Sequence, residues 1–280
     1  IARTLSIDVR RVHTQTTNTF KVANTSPTAA SSGADMNGKA AEIACSEILG
    51  RLKTAAAAIL GHNNPGDIQI RDEVVWCEGR ETQLKWKELV QKAYLMKTNM
   101  SAYGHYAVPN LTFDKTKEKG RPFAYHVYGT ALIEATVDCI RGTYRFDAVH
   151  MVHDIGRSIN ELIDEGQVYG ALMQGIGWVT MEELLYSKEG KPLVDSLSKY
   201  KVPDMRFTPE TVSLHFLENA DNPYAVMNSK AVGEPPLMYG IGAYFAVLNA
   251  LAAARPGREL FFSAPLTPKK VLSFLYGEAR

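Results

Sequence analysis

The sequence predicts an α+β protein, with mixed sheets and packed helices arranged as two α/β lobes, and three observations lead there. Stretches with apolar residues every three or four positions interchange with short β-branched stretches of period two. The two kinds of element follow one another without a strict βαβ rhythm and without an internal repeat. At 280 residues the chain forms one large domain or two small ones. It is read as one domain over 1–280, with lobes at 1–120 and 121–280 and the active surface between them.

Residues 5–14 alternate Leu5, Ile7 and Val9 with polar neighbours, which predicts a half-buried strand. "NTFKVANTSPTAASSGADMNG" then runs almost without large apolar groups, a length more typical of a binding loop or disorder than of a passive connection. A helix is expected over 39–60, with Ile43, Ile48, Leu49 and Leu52 as its buried stripe and Asp35 or Asn37 as cap. "GDIQIRDEVVWCEG" predicts a strand or hairpin, and "KWKELVQKAYLMKTN" a short amphipathic helix. The charge run from Lys115 to Arg121 is expected at a solvated loop tip. Two strands are expected around the turn at Arg141–Gly142, then a helix through "INELIDEGQVYGALMQGIGWVTMEELLY". Residues 200–203 and 211–216 are expected to be extended, and 236–254 and 267–276 helical.

Composition narrows the function classes. Apolar content of 45%, charged content of 22% and a net charge of +1 are ordinary for a globular protein. No Lys/Arg block interleaves with aromatics, so nucleic acid is not an expected partner. No membrane span is expected, because the most apolar window, 231–254, contains Glu234 and a PP pair. Cys45, Cys77 and Cys139 lie far apart with no CxxC, which argues against iron–sulfur or zinc ligation and for reduced, packed thiols in the cytoplasm. The opening "IARTLSIDVRRVHTQ" has neither Met nor a signal pattern and reads as a chain entered partway.

Three stretches carry candidate chemistry. In "SKAVGEPPLMYGIGAYFAV", Pro235 should hold Glu234 extended, Pro236 suits a first helical turn, and Gly233 leaves room beside the acid. Glu234 is then a half-buried group on a stiff backbone, either a helix-dipole acid or a base for chemistry. "TSPTAASSGAD" offers small residues and hydroxyls ahead of a helix N-terminus, suited to a phosphate or simply a mobile loop; it is neither a P-loop nor a dinucleotide fingerprint. "GQVYGALMQGIG" sets glycines at 166, 170, 175 and 177, each costing about 1 kcal/mol against alanine in a helix, so another helix or a ligand should approach its backbone. Its amides, Gln167 and Gln174, are expected on different faces. His150 and His153 of "HMVHD" fall in a strand and face opposite ways, so no metal pair is expected.

Taken together and in order, "NTSPTAASSGADMNGKAAEIAC", "DEGQVYGALMQGIGWVTMEEL" and "NSKAVGEPPLMYGIGAYFAV" resemble the C-terminal molybdopterin-binding part of the xanthine dehydrogenase and aldehyde oxidase family. The resemblance covers about residues 5–274, is nearest the xanthine dehydrogenase branch, and extends to "PNLTFD", "GTALIEATVDCIRG", "MVHDIGRSINELID" and "SKYKVPD". It implies a molybdenum hydroxylase whose metal is held by the dithiolene of a pterin, as molybdopterin or its dinucleotide form, with no protein metal ligand. It further implies that Glu234 is the general base for attack of a Mo-bound hydroxide on an electron-poor carbon, with hydride passing to the sulfido ligand. Ala30 would lie beside the metal's ligands, Thr28, Ala29, Ser31 and Ser32 around the pterin, Gln167 against the cofactor, and Val232 and Gly233 beside the base.

The implied substrate is a purine such as xanthine or hypoxanthine, with an aldehyde or another N-heterocycle such as nicotinate as the alternative. FAD, 2Fe–2S clusters and the preceding half of the molybdenum domain are expected on other domains or subunits. The expected assembly is a cytoplasmic hetero-oligomer, and the chain is expected to be inactive by itself. A non-catalytic scaffold of the same fold, or a hydrolase using Glu234 toward a protein-bound metal, are the readings from other classes.

Overall fold

The computed structural model describes residues 1–15, 18–20, 29–259 and 261–277, which divide into two compact units. The first comprises Ile1–Ala124 with Tyr224–Val226, and the second Tyr125–Pro223 with Met227–Arg280.

In the first unit the anticipated N-terminal strand is absent. Ala2–Leu5 is a single helical turn (α1), closed by left-handed Ser6, and Asp8 caps a 3₁₀ turn over Val9–Arg11. The apolar alternation does not correspond to an inside and an outside, since Val9 is 70% exposed. The segment is held instead by polar bonds: Glu73 N–H donates to the Ser6 carbonyl, and the Glu73 carboxylate pairs with Arg11.

The long helix α2, Gly33–Leu60, begins six residues before the expected start at 39. Ser32 occupies its N-cap position, and Asp35 lies buried in its first turn, where the partial positive charge of the helix start favours an acid. Asn37 is an exposed helical residue, so neither expected cap is one. Strands β1 (Ile68–Arg71), β2 (Val74–Cys77) and β3 (Arg80–Lys85) form an antiparallel meander, one strand more than a hairpin. Its turns place Asp72–Glu73 and Glu78–Gly79 at positive φ, the twist that a two-residue hairpin loop requires. Helix α3 (Trp86–Leu95) follows, and Leu52, Ala56, Ile68, Val75, Leu84 and Leu89 meet in the core of this unit. The charge run is solvent-exposed as expected, but it folds into a small hairpin, β4 (Thr112–Asp114) with β5 (Lys119–Arg121).

The second unit is built on a three-stranded sheet ordered β6 (Gly129–Val137), β7 (Tyr144–His153), β8 (Thr211–Phe216). The first pair is antiparallel; β8 joins β7 in parallel, from Ala148↔Thr211 to His153↔Phe216. The returning connection carries α4 (Glu161–Thr180), started by the Asn160 side chain accepting from Ile163 N–H. A 3₁₀ turn over Pro235–Tyr239 leads into α5 (Gly240–Ala254), and α6 (Pro268–Tyr276) closes the unit. Residues 200–203 form irregular backbone rather than a strand.

Pro235–Ala254 is uncharged over twenty residues and, by length and composition only, is apolar enough to cross a membrane. In the fold its face of Ala243, Tyr244, Val247, Leu248 and Leu251 is core, packed with Phe146, Val149 and Ile176. Cys45 is buried, whereas Cys77 and Cys139 are partly exposed at the margins of the two cores, and all three are free thiols.

Candidate functional site

The glycines of α4 divide into two pairs. A Cβ on Gly175 would lie 2.1 Å from the Leu237 carbonyl oxygen, and one on Gly240 2.1 Å from the Gly175 carbonyl carbon. Only glycine at both positions lets the start of α5 lie against the backbone of α4. Gly177 is similarly crowded by Pro203 and Glu182, while a Cβ on Gly166 or Gly170 would meet no neighbouring element within 4 Å.

The open pair shares a face with both amides. Gln167 and Gln174 are seven residues apart, nearly two full turns, and both are exposed, which corrects the expectation of different faces. Beside them Gly170, Gln174, Trp178, Val202 and Leu237 line an open cleft of about 620 Å³.

The turn at the start of α5 presents Glu234. Its backbone is right-handed helical (φ −101°, ψ −42°), not extended, because its carbonyl accepts from Leu237 N–H at 3.1 Å and so belongs to the 3₁₀ turn. Glu234 is also exposed rather than half-buried, whereas the turn buries Pro236 and Gly240. Among the described residues no hydrogen bond or ion pair engages its carboxylate. Val232 and Gly233 just before it are half-buried, and Val232 packs at the margin of the core.

The segment around this acid is held by groups that sequence reasoning missed. Lys230 Nζ pairs with Asp154 Oδ2 at 2.5 Å, with the two side chains only 10% and 1% exposed. Breaking such a buried pair from one side costs about 3–5 kcal/mol. At the other end the Tyr239 hydroxyl meets His153 Nδ1 at 2.6 Å, and His153 is completely buried with Nε2 unpartnered. Burial holds His153 down to about 4 and pushes Tyr239 up to about 12, so both rings are neutral. "HMVHD" had placed His150 and His153 on opposite faces; in the fold His150 is exposed against Ser213 Oγ and His153 is inside. Nothing in the spacing linked His153 to a tyrosine 86 residues away.

In the first unit, Ala29, Ala30, Ser31 and Ser32 lead into α2; Thr28 lies outside the described residues. Ala30 and Ser31 both sit at φ 54°. Ser32 Oγ donates to the Ala29 carbonyl at 2.8 Å instead of capping the helix. The N-terminus of a 28-residue helix is therefore left without a side-chain cap, an arrangement that favours an anionic group. The same unit brings His62, Asp67 and Glu78 together, with ligand atoms within 4.8 Å of one another and a 2.8 Å bond between His62 Nε2 and Asp67 Oδ2.

A family model described as the molybdopterin cofactor-binding domain matches residues 1–209. The chain belongs to that family. It is 38% identical over 266 residues, 95% of its length, to xanthine dehydrogenase of Drosophila pseudoobscura pseudoobscura, of which it spans 18%. It is 37% identical over 277 residues, 96% of its length, to the xanthine dehydrogenase/oxidase of Mus musculus, of which it spans 19%. The chain thus spans about one fifth of the length of these relatives. Among solved structures, quinoline 2-oxidoreductase from Pseudomonas putida 86 shares its fold with a TM-score of 0.73 at 23% identity, over 89% of this chain and 30% of that one. Aldehyde oxidoreductase from Desulfovibrio gigas does so with a TM-score of 0.63 at 24% identity, over 89% and 23%.

This molybdopterin-binding chain fits its cofactor chemically in one respect the backbone displays. Small side chains leave the uncapped start of α2 accessible, and its backbone N–H groups are donors suited to an anionic, polar group.

Proposed function

We propose that the chain is the cofactor-binding C-terminal portion of a molybdenum hydroxylase acting on a heteroaromatic substrate of the purine class, such as xanthine or hypoxanthine. The observation that carries this reading is an exposed, unengaged carboxylate at Glu234 on a fixed turn, in a molybdopterin-binding chain similar to xanthine dehydrogenases.

When bound, the molybdenum–pterin group supplies Lewis acidity and two-electron oxidation. Residues 28–32 would hold that group, with the Ser31 hydroxyl and the backbone N–H groups at the uncapped start of α2 as donors, and Ala30 leaving space for its metal end. Gln167 offers an amide to it from α4. Glu234 acts as general base, accepting at one Oε the proton that hydroxylation releases. A base held by its own turn needs no reorganisation to meet that proton. Gly233 leaves the approach to the acid open, and Val232 gives it an apolar flank. 2Fe–2S clusters and FAD on other domains or subunits would supply the electron acceptors, in a cytoplasmic hetero-oligomer that would also contain the preceding half of the molybdenum domain.

The test is Glu234→Gln in the assembled enzyme, assayed for xanthine hydroxylation beside molybdenum and pterin content. Turnover should fall by about 10³-fold or more with the cofactor retained, since removing the base eliminates the acid–base contribution and leaves the site without a proton acceptor. Undiminished turnover with full cofactor would sink the assignment.

A further inference from the structure

Two adjacent residues at the end of β7 grip two points of the segment that carries Glu234. Asp154 holds Lys230, four residues before the acid, and His153 holds Tyr239, five residues after it. Between those points the chain runs through Val232, Gly233 and the 3₁₀ turn.

Each grip is more than one bond. Lys230 Nζ also donates to the His126 carbonyl at 3.2 Å, and Lys230 N–H donates to the Ile155 carbonyl at 2.8 Å. Asp154 Oδ1 is occupied by Gly156 N–H at 2.9 Å, so the acid that receives Lys230 is itself fixed. Ala231 N–H donates to the Tyr125 hydroxyl at 3.0 Å. On the far side, Tyr239 crosses His153 edge to face with ring centroids 5.5 Å apart. Its hydroxyl occupies space that only a glycine at position 129 leaves open, since a Cβ there would lie 1.7 Å from it.

A buried ion pair next to a buried neutral imidazole is a costly pairing for a loop that needs only to connect two elements. Both groups act on the same ten residues, and Glu234 itself touches neither. We infer that His153 and Asp154, through Tyr239 and Lys230, are positioning residues that fix where the Glu234 carboxylate stands. This rests on Glu234 being the base, but the grip on residues 230–239 is testable apart from it.

The test uses the assembled, cofactor-loaded enzyme with Tyr239→Phe, Lys230→Met and Lys230→Arg, read by amide hydrogen exchange and by steady-state kinetics on xanthine. Tyr239→Phe keeps the ring and removes one bond, so it remains informative if Lys230→Met fails to fold. Amides of residues 230–239 should exchange roughly fivefold faster in Tyr239→Phe, with the β6–β8 sheet unchanged. The value of kcat should fall about tenfold with KM within twofold, the signature of a group misplaced only for the chemical step. Lys230→Arg, which retains the charge, should recover most of the exchange protection that Lys230→Met loses.

Unchanged exchange over 230–239, or an equal rise throughout the sheet, overturns the inference. So does a loosened segment with kcat intact while Glu234→Gln is inactive. If Glu234→Gln is active, the base assignment has failed by itself, and the exchange pattern alone still decides whether His153 and Asp154 hold this segment.

Discussion

His153 shows how one residue ties stability to pH. Burial is the main force lowering it from 6.5 to about 4, and neighbouring Asp154 opposes the shift. Between those values the unfolded chain binds a proton that the folded one does not, so stability rises with pH across that window. It is complete above about 6.5 and is lost as pH falls toward 4, on the order of 3 kcal/mol in all. Urea unfolding from pH 7 to pH 4 should show this loss, and His153→Gln, which cannot titrate there, should show a shallower decline. Equal slopes would mean that the carboxylates alone account for it. The role of this residue was not legible from its neighbours: period two gave its face, but its partner comes from the turn ahead of α5.

At the scale of elements, the two glycine pairs of α4 separate cleanly by substitution. Gly175→Ala forces a methyl against the Leu237 carbonyl and should cost about 3 kcal/mol. Gly166→Ala meets open space and should stabilise the helix by about 1 kcal/mol. Denaturant midpoints of the two variants should move in opposite directions. In the sequence all four glycines looked equivalent, because the element that presses on Gly175 is more than sixty residues away. Local signals served well where the element is its own context. The 3.6-residue period located α3, α4 and α5, and the turn at Arg141–Gly142 located β6 and β7. They failed where tertiary bonds decide. Polar contacts to Glu73 kept residues 5–14 from forming a strand, and the 3₁₀ turn drew Glu234 out of the extended backbone that Pro235 favours. The Ser/Ala stretch and GEPP are joined in the proposed site only through the order of motifs along the chain.

At the scale of the molecule, the second unit exposes many large apolar side chains outside its core, among them Leu162, Leu197, Met205 and Phe262, each at least 80% exposed. Side chains of this kind become a liability where they adjoin in a patch. The isolated chain should bind a hydrophobic dye and scatter light as larger species at micromolar concentration. Co-expression with the proposed preceding half of the molybdenum domain should suppress both, and a clean monomer from the isolated chain would contradict this. The grip on the Glu234 segment also bears on the order of assembly. Its bonds span 76 and 86 residues and end on His153 and Asp154; His153 itself pairs with β8 across a long parallel connection. Loop closure over that distance becomes favourable only after the sheet and α4 have formed, so these contacts should be absent from the folding transition state. Tyr239→Phe should therefore speed unfolding in stopped-flow experiments and leave the refolding rate untouched, making the hold on this acid a determinant of how long the native state lasts rather than of how fast it appears.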